Sequence, residues 1–462
     1  MSEALFDAGF ALRAISGAAC KGGRGLSASS VCVDSRKTSP GGLFVALPGE
    51  RADGHRFVMD AFGRGASLAM VRKDRAASLG ALPEGKGLIL VDDCLAALQA
   101  LAASWLDRFP GLVRIGVTGS SGKTTAKELL ASILSFVGPT YRNEGNLNSD
   151  SGLPLAAFGV GPGHRFGVFE MGMNRKGEMA ELAAVLRPRY VLYTNIGSAH
   201  IGILGSREAI ALEKKQATSR FHDGCEAYIH EDEAFLPLLS EGLKGRLVTY
   251  GPRTTKGFGG AESRGLDGSV VHWEGLRASF PLPGAHNVRN AIGAAALARR
   301  LGAGAADVVA GLEAAGASFG RSELLKGRAT VLADCYNANP ESMLAAIELC
   351  DETPWAGRKV YVLGDMRELG AESLAAHQAA IARARASKAD LVILFGEAMA
   401  EALGNGGMGD DGGRVLMARD RGELARLVGE TAREGDLFLF KASRGLALEE
   451  FIPLALGRPI DG

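Results

Sequence analysis

The stretch "RIGVTGSSGKTTAKELL", residues 114–130, decides how the rest of the chain is read. Leu112 to Val117, "LVRIGV", is an apolar run of strand length, and Leu129, Leu130, Ile133, Leu134 and Val137 recur at helical spacing. A Gly/Ser loop therefore joins a strand to a helix start. Unpaired N–H groups and the helix dipole favour an anion at such a start. Gly119 and Gly122 let the backbone wrap phosphate oxygens, Lys123 can reach β/γ-phosphates, and the Thr124 hydroxyl can ligate Mg²⁺. The general phosphate-loop pattern asks for Gly five residues before Gly122, and Val117 stands there. The anion-binding geometry needs only the later part of the motif. The competing explanation is a Gly/Ser turn that caps a helix by chance.

The bulk numbers set the frame. A chain of 462 residues is too long for one ordinary core, so two or three domains are expected. Its 52 basic and 52 acidic residues cancel, which points to no nucleic-acid partner and no anionic membrane surface. The six Cys are scattered without C-x-x-C, which argues against zinc and against a disulfide framework. "MSEALFDAGF" has acids where a signal peptide has a basic region, and no apolar run reaches spanning length. A soluble cytoplasmic protein is expected, working as a monomer.

Three blocks separate by pattern. Residues 1–108 hold short strands such as Leu43–Leu47 and Leu88–Val91, then an Ala-rich helix from about Leu95 to Arg108. Residues 109–318 begin with the phosphate loop, continue through "FGVFEM" (166–171) and "YVLYTNIG" (190–197), and pass a Gly-rich loop or hairpin region from Thr254. They close on the Ala-rich helix "NVRNAIGAAALARRLG". From 319 to 462 strands and helices alternate: "TVLAD" (330–334), "KVYVLGD" (359–365), "DLVILFG" (390–396), "RVLM" (414–417) and "DLFLFK" (436–441). That alternation predicts α/β units with mostly parallel sheets and ligands at the carboxyl ends of strands.

Residues with chemistry fall at those ends. Glu170 ends "FGVFE", where a carboxylate can hold Mg²⁺ or cap the next turn. His200, in "TNIGSAHIG", is an uncommon ligand for a hard cation and gains weight only beside Glu170 and Lys123. Lys214, in the helix "GSREAIALEKKQATSRF", reads by pattern as one lysine on a solvated charged face. "ADCYNANPESM" (333–343) places Asp334, Tyr336, Asn337 and Asn339 between a strand and a helix opened by Pro340. It fits a ligand crevice, with helix capping by Asn339 as the alternative. Lys441, Ser443 and Arg444 end another strand, where they could meet a carboxylate or phosphate.

Taken together, these motifs resemble the Mur ligase family over essentially the whole chain. The family's loop is the short form T-G-[ST/N]-x-G-K-T-T, and "VTGSSGKTT" (117–125) matches it. "VDSRKTSPGGLFVALPGERADGHRF" (33–57) is similar to the family's UDP-binding domain. "GNLNSDSGLP" (145–154), "FEMGMNRKGE" (169–178), "TNIGSAHIG" and "LPGAHNVRNA" (282–291) are similar to its ATPase domain. "DCYNANPESM" and "VLGDMRELG" (362–370) resemble the branch that adds D-alanyl-D-alanine to UDP-N-acetylmuramoyl-tripeptide.

The resemblance implies three α/β domains: an N-terminal UDP-substrate domain, a central phosphate-loop ATPase domain and a C-terminal Rossmann-like domain. It implies ATP and Mg²⁺ as cofactors and an acyl-phosphate route to the amide. Gly119, Ser120, Ser121, Gly122, Lys123, Thr124 and Thr125 are then expected on ATP, with Thr124, Glu170 and His200 on the metal. His286, Asn287 and Asn290 are expected where the family contacts adenine or the ATP-side backbone. Arg321 is expected to reach ATP from the C-terminal domain, with Asp334 and Asn337 near ribose and the incoming dipeptide. Ser35, Arg36, Asp53 and His55 are expected along the UDP substrate. Lys214 aligns with a lysine that some siblings carry as a carbamate bridging magnesium.

The sequence departs from the family where the usual K-x-E reads Lys214-Lys215-Gln216, K-G-S-R reads "KASR" (441–444) and N-L-N-N reads "NLNS" (146–149). Other readings are a sibling ligase, a folylpolyglutamate synthase, or a non-catalytic nucleotide-binding paralogue. The missing D-N-P-R motif counts against the diaminopimelate-adding sibling, and the N-terminal match counts against the synthase. Intact Lys123, Glu170 and His200 count against the paralogue.

Overall fold

The computed structural model describes residues 4–49, 52–316, 319–405 and 413–459. Its centre is a six-stranded, wholly parallel sheet in the order Arg246–Tyr250, Glu226–His230, Tyr190–Tyr193, Val113–Thr118, Phe166–Glu170, Thr140–Arg142. The strand order reverses beside Val113–Thr118, which lies between strands that follow it in sequence. A crevice opens at such a reversal, outside the carboxyl ends of the strands. The register aligns Glu170 with Val117 on one side and Tyr193 with Thr118 on the other. The phosphate loop, Glu170 and the chain after Tyr193 therefore leave the sheet at one level.

Both faces of this sheet are covered, as an all-parallel sheet requires. One face packs under the helices Lys123–Ser135 and Ala285–Arg300, through Leu130, Leu134, Ala294 and Leu297. The other face shares a continuous core with the N-terminal part of the chain through the helix Cys94–Asp107. Trp105 carries that join. Its ring meets Phe6 and Phe158, and its indole N–H donates to the Val160 carbonyl at 3.1 Å.

The N-terminal sheet runs Ala19–Lys21, Gly87–Val91, Leu68–Arg72, Leu43–Val45, Val31–Cys32 and is parallel except at Ala19–Lys21. The Gly-rich region from Thr254 resolves into a hairpin. Phe258–Ser263, Ser269–Trp273 and Leu276–Phe280 form an antiparallel sheet of their own. The C-terminal sheet has the order Glu323–Lys326, Thr330–Ala333, Leu437–Lys441, Lys359–Gly364, Leu391–Phe395, Val415–Ala418. The expected alternation is present. The antiparallel edge strand Glu323–Lys326 was not read from the sequence, because its "ELLK" lacks any periodic signal. Among the described residues no helix is long and apolar enough to cross a membrane.

Candidate active site

The phosphate loop is shaped by two glycines with different jobs. Gly122 has φ +75° and precedes the helix Lys123–Ser135, and a Cβ there would meet the Asn290 amide at 2.7 Å. At Gly119 a Cβ would lie 1.9 Å from Thr194 Oγ1, so no other residue fits. The loop is braced by the chain after Tyr190–Tyr193. Asn195 Oδ1 accepts the Ser121 N–H at 3.1 Å, and the Thr194 hydroxyl donates to the Ser121 carbonyl at 2.6 Å. Ser120 Oγ accepts the Gly197 N–H at 2.8 Å.

Two lysines converge on one oxygen of this loop. Lys123 Nζ donates to the Gly119 carbonyl at 3.0 Å, and Lys214 Nζ donates to the same oxygen at 2.8 Å. Lys214 corrects the sequence reading. On the helix Arg207–Lys215 it is 1% exposed, whereas Leu212 is 48% exposed, so the charged residue faces inward and the apolar one outward. Burial holds the Lys214 amine well below the ordinary lysine range, and the Lys123 charge pushes it the same way; Glu213 and Glu170 oppose. The cation that acts on it is Lys123, from the loop, and not its sequence neighbour Lys215. Burial also depresses Lys123; Glu170 opposes and the Arg321 charge adds to the depression. Two cations crowded together, with no carboxylate among the described residues hydrogen-bonded to either, make a strongly anion-attracting pocket.

The acid missing at Gln216 has a counterpart one residue before Lys214. Glu213 is buried, and its carboxylate accepts the Gly177 and Met179 N–H groups at 2.9 and 3.0 Å, at the start of the helix Glu178–Leu186. Its oxygens thus serve that helix start while its charge still acts on Lys214.

Thr124 and Glu170 are brought together as expected. The Thr124 hydroxyl donates to Glu170 Oε2 at 2.6 Å, and Asn148 Nδ2 donates to Oε1 at 2.6 Å. Oxygen donors of this kind suit magnesium, which takes one or two protein oxygens and fills its shell with phosphate and water. No cluster of three or more His, Cys, Asp or Glu side chains able to hold a metal occurs among the described residues. His200 is placed differently. Its φ is +67°, and its Nδ1 lies 2.6 Å from Glu368 Oε2, a carboxylate of the C-terminal part. The imidazole lowers the Glu368 pKa. None of the polar contacts of His200 joins it to Thr124 or Glu170.

Thr125, Leu282, Asn287 and Arg321 line one crevice beside the loop. Asn287 Nδ2 is tied to the Pro283 carbonyl at 2.8 Å, Asn290 packs on Gly122, and His286 is exposed in the electrostatic reach of Asp334 and Lys441. The Arg321 guanidinium stacks over Tyr336 at 4.1 Å from the ring centroid. Lys441 Nζ, buried, donates to Asp334 Oδ2 at 2.6 Å and to the Asn337 carbonyl at 3.2 Å. So Lys441 does meet a carboxylate, one belonging to the chain itself; Arg444 pairs with Glu449. Asn339 proves to be a cap: its Oδ1 accepts the Ser342 N–H at 2.9 Å, opening the helix Pro340–Glu352.

The N-terminal candidates divide. Ser35 is buried, and Arg36 is 80% exposed with its guanidinium paired to Asp34 at 2.9 Å. Asp53 and His55 are occupied within the fold: His55 Nδ1 lies 2.6 Å from Asp53 Oδ1, and His55 Nε2 accepts the Arg72 N–H at 3.0 Å. Both ring nitrogens of His55 thus have partners within the chain. Asn148, Asn195, Glu213, Glu341 and Glu368 were not singled out by sequence. All lie within or beside quoted motifs, but nothing in their spacing sets them apart.

Comparison with known proteins identifies relatives along nearly the whole chain. Residues 27–105 match the family model described as Mur ligase family, catalytic domain; residues 117–298 match Mur ligase middle domain; residues 320–444 match Mur ligase, glutamate ligase domain. The chain is 40% identical to the UDP-N-acetylmuramoyl-tripeptide–D-alanyl-D-alanine ligase of Treponema pallidum, covering 94% of this chain and 95% of that one. It is 37% identical to the enzyme of the same name from Bacillus subtilis, covering 93% of each. Among solved structures, MurF from Acinetobacter baumannii superposes with a TM-score of 0.87 at 29% identity, covering 98% of this chain and 99% of that one. MurF ligase from Thermotoga maritima in complex with ADP gives 0.77 at 26% identity, covering 93% and 97%.

Proposed function

The chain belongs to the Mur ligase family, and on that premise we propose that it is an ATP-dependent ligase joining D-alanyl-D-alanine to UDP-N-acetylmuramoyl-tripeptide in peptidoglycan precursor synthesis. The identities and coverage of the relatives named for this reaction support the substrates. The observation that carries the chemistry is the pair of ammonium groups on the Gly119 carbonyl, beside Thr124 and Glu170, at the carboxyl edge of the central sheet. We place the reaction in the cytoplasm, where unpaired cysteines are the rule, and read the working form as a monomer.

The tripeptide carboxylate attacks the γ-phosphate of ATP, giving an acyl phosphate and ADP. The dipeptide amine then attacks the acyl carbon, and phosphate leaves. Carboxylate and phosphate are both anionic, so the first step needs concentrated positive charge at a fixed place. Lys123 and Lys214 supply it from the loop, and Arg321 adds a third cation, held planar against Tyr336. Loop N–H groups fix the phosphates, and Asn195 and Ser120 fix the loop. Thr124 and Glu170 would hold magnesium, which when bound neutralises phosphate charge. His200 could join them only through Nε2, since Nδ1 faces Glu368. Thr125, His286, Asn287 and Asn290 form the adenine side. Asp334 and Asn337, fixed by Lys441, face ribose and dipeptide. Ser35 and Arg36 lie along UDP.

The deciding experiment is phosphate release assayed with each substrate omitted in turn. Release requiring both UDP-tripeptide and D-alanyl-D-alanine is expected. Release with ATP alone, or with a different amino acid in place of the dipeptide, would refute the assignment.

A further inference from the structure

The segment 194–202 has two working faces. One braces the phosphate loop through Thr194, Asn195 and Gly197, as described above. The other meets the C-terminal part of the chain. Glu341 Oε1 accepts the Ser198 N–H at 2.9 Å, and its Oε2 accepts the Ser198 hydroxyl at 2.8 Å. The Glu368 carbonyl accepts the Gly202 N–H at 2.8 Å. A run of polar contacts therefore leads from the first turn of the helix Pro340–Glu352, through Ser198 and Gly197, to Ser120 in the phosphate loop.

Two glycines mark this contact as built into the sequence. Neither Gly197 nor Gly202 has a left-handed φ, so backbone conformation does not explain them. Gly202 lies in the helix Ile201–Leu204, where alanine is the better helix former. What each glycine permits is close approach. A Cβ on Gly202 would sit 2.4 Å from the Gly370 nitrogen and 2.8 Å from the Glu368 carbonyl oxygen. A Cβ on Gly197 would sit 3.0 Å from the Glu341 carboxyl carbon. At Gly202 the obstacles are backbone atoms of the facing loop, which no rotamer change can move aside. Gly370, itself at φ +53°, approaches Gly202 so closely that its own added Cβ would lie 2.7 Å from Gly202 Cα.

We propose, resting on the reading of the loop as the ATP site, that Glu341 and Gly202 are positioning residues. Through them the docked C-terminal part tightens segment 194–202 and with it the phosphate loop. Nucleotide affinity then depends on a contact that touches no nucleotide.

The test is ADP binding by titration calorimetry, which needs no turnover, with amide hydrogen exchange on the same proteins. Gly202→Ala is expected to bind ADP about tenfold more weakly, the scale of one lost charge-assisted or preorganising contact. Its melting temperature should stay at the wild-type value while amides 195–202 exchange faster. Glu341→Ala should weaken ADP similarly, and Glu341→Gln should recover most of the loss, since its amide oxygen can still accept the Ser198 N–H. Wild-type ADP affinity in Gly202→Ala overturns the proposal. So does a loss that merely tracks a lowered melting temperature. If the wild-type protein binds no ADP, it is the ATP-site reading that fails. The brace is then judged by exchange alone, and unchanged exchange at Ser120 and Ser121 in Gly202→Ala overturns it.

Discussion

Replacing Lys214 by methionine should cost the enzyme its activity and raise its stability. The side chain is 1% exposed, its amine shares the Gly119 oxygen with Lys123, and no carboxylate among the described residues is hydrogen-bonded to it. Burial of the ammonium is the largest cost and repulsion from Lys123 adds to it; two like charges ~4 Å apart repel by about 4 kcal/mol at an effective dielectric constant of ~20. Attraction from Glu213 and Glu170 offsets part of this, leaving a net cost on the order of 1–2 kcal/mol, within the range seen when buried charges are exchanged for apolar groups. Methionine fills a similar volume, and the Gly119 carbonyl keeps Lys123 as a donor. The nucleotide-free variant should therefore melt about 2–8 °C higher in CO₂-free buffer.

The pH dependence fixes the cause. Burial lowers the folded-state pKa of Lys214 beneath its unfolded value near 10.5, so between the two the unfolded chain binds more protons and wild-type stability rises with pH. The gain from Lys214→Met should thus be largest at low pH and shrink as pH approaches 10.5. Turnover should fall about 10³-fold, as for loss of a phosphate clamp. A melting temperature lowered by more than about 2 °C, or a gain independent of pH, would refute the crowded-cation argument. Lys214→Ala assayed with acetate or formate separates the chemical form. Rescue would mean that the working group is a carbamate, and inactivity without rescue would mean the ammonium itself.

Three further outcomes follow from the same geometry. Lys123→Ala should lower kcat about 10³-fold without lowering the melting temperature, and retention of more than about a tenth of the activity would remove it from the phosphate clamp. Glu170→Gln keeps the shape that Thr124 and Asn148 bond to but loses the charge, so the magnesium titration of turnover should shift about tenfold upward; an unshifted titration would make Glu170 purely structural. His55→Leu leaves the Arg72 N–H without its acceptor, a loss of about 1–3 kcal/mol that thermal melts should register while KM for the UDP substrate holds. A raised KM at unchanged stability would instead put His55 against the substrate.

The sequence by itself determined the local pieces. The apolar run ending at Val117, the glycines of the loop and the helical spacing after Lys123 are all encoded within about twenty residues. Backbone periodicity and turn chemistry act at that range, so strand, loop and helix appear as read. The Thr124–Glu170 meeting was legible too, because a residue at the carboxyl end of a strand next to a phosphate loop has few places to go. Lys214 was not. Its helix carries a charged pattern, and the oxygen it binds belongs to Gly119, 95 residues away. Only the order of strands in the central sheet brings them together, and no local spacing encodes that order. Asp53 and His55 have the composition of a polar site, and only the fold shows that they pair with each other and that His55 accepts the Arg72 N–H. Gly202, Glu341 and Glu368 are the extreme case. Each looks ordinary in its own segment, and each acquires its meaning where two parts of the chain far apart in sequence touch, at separations that only packing sets.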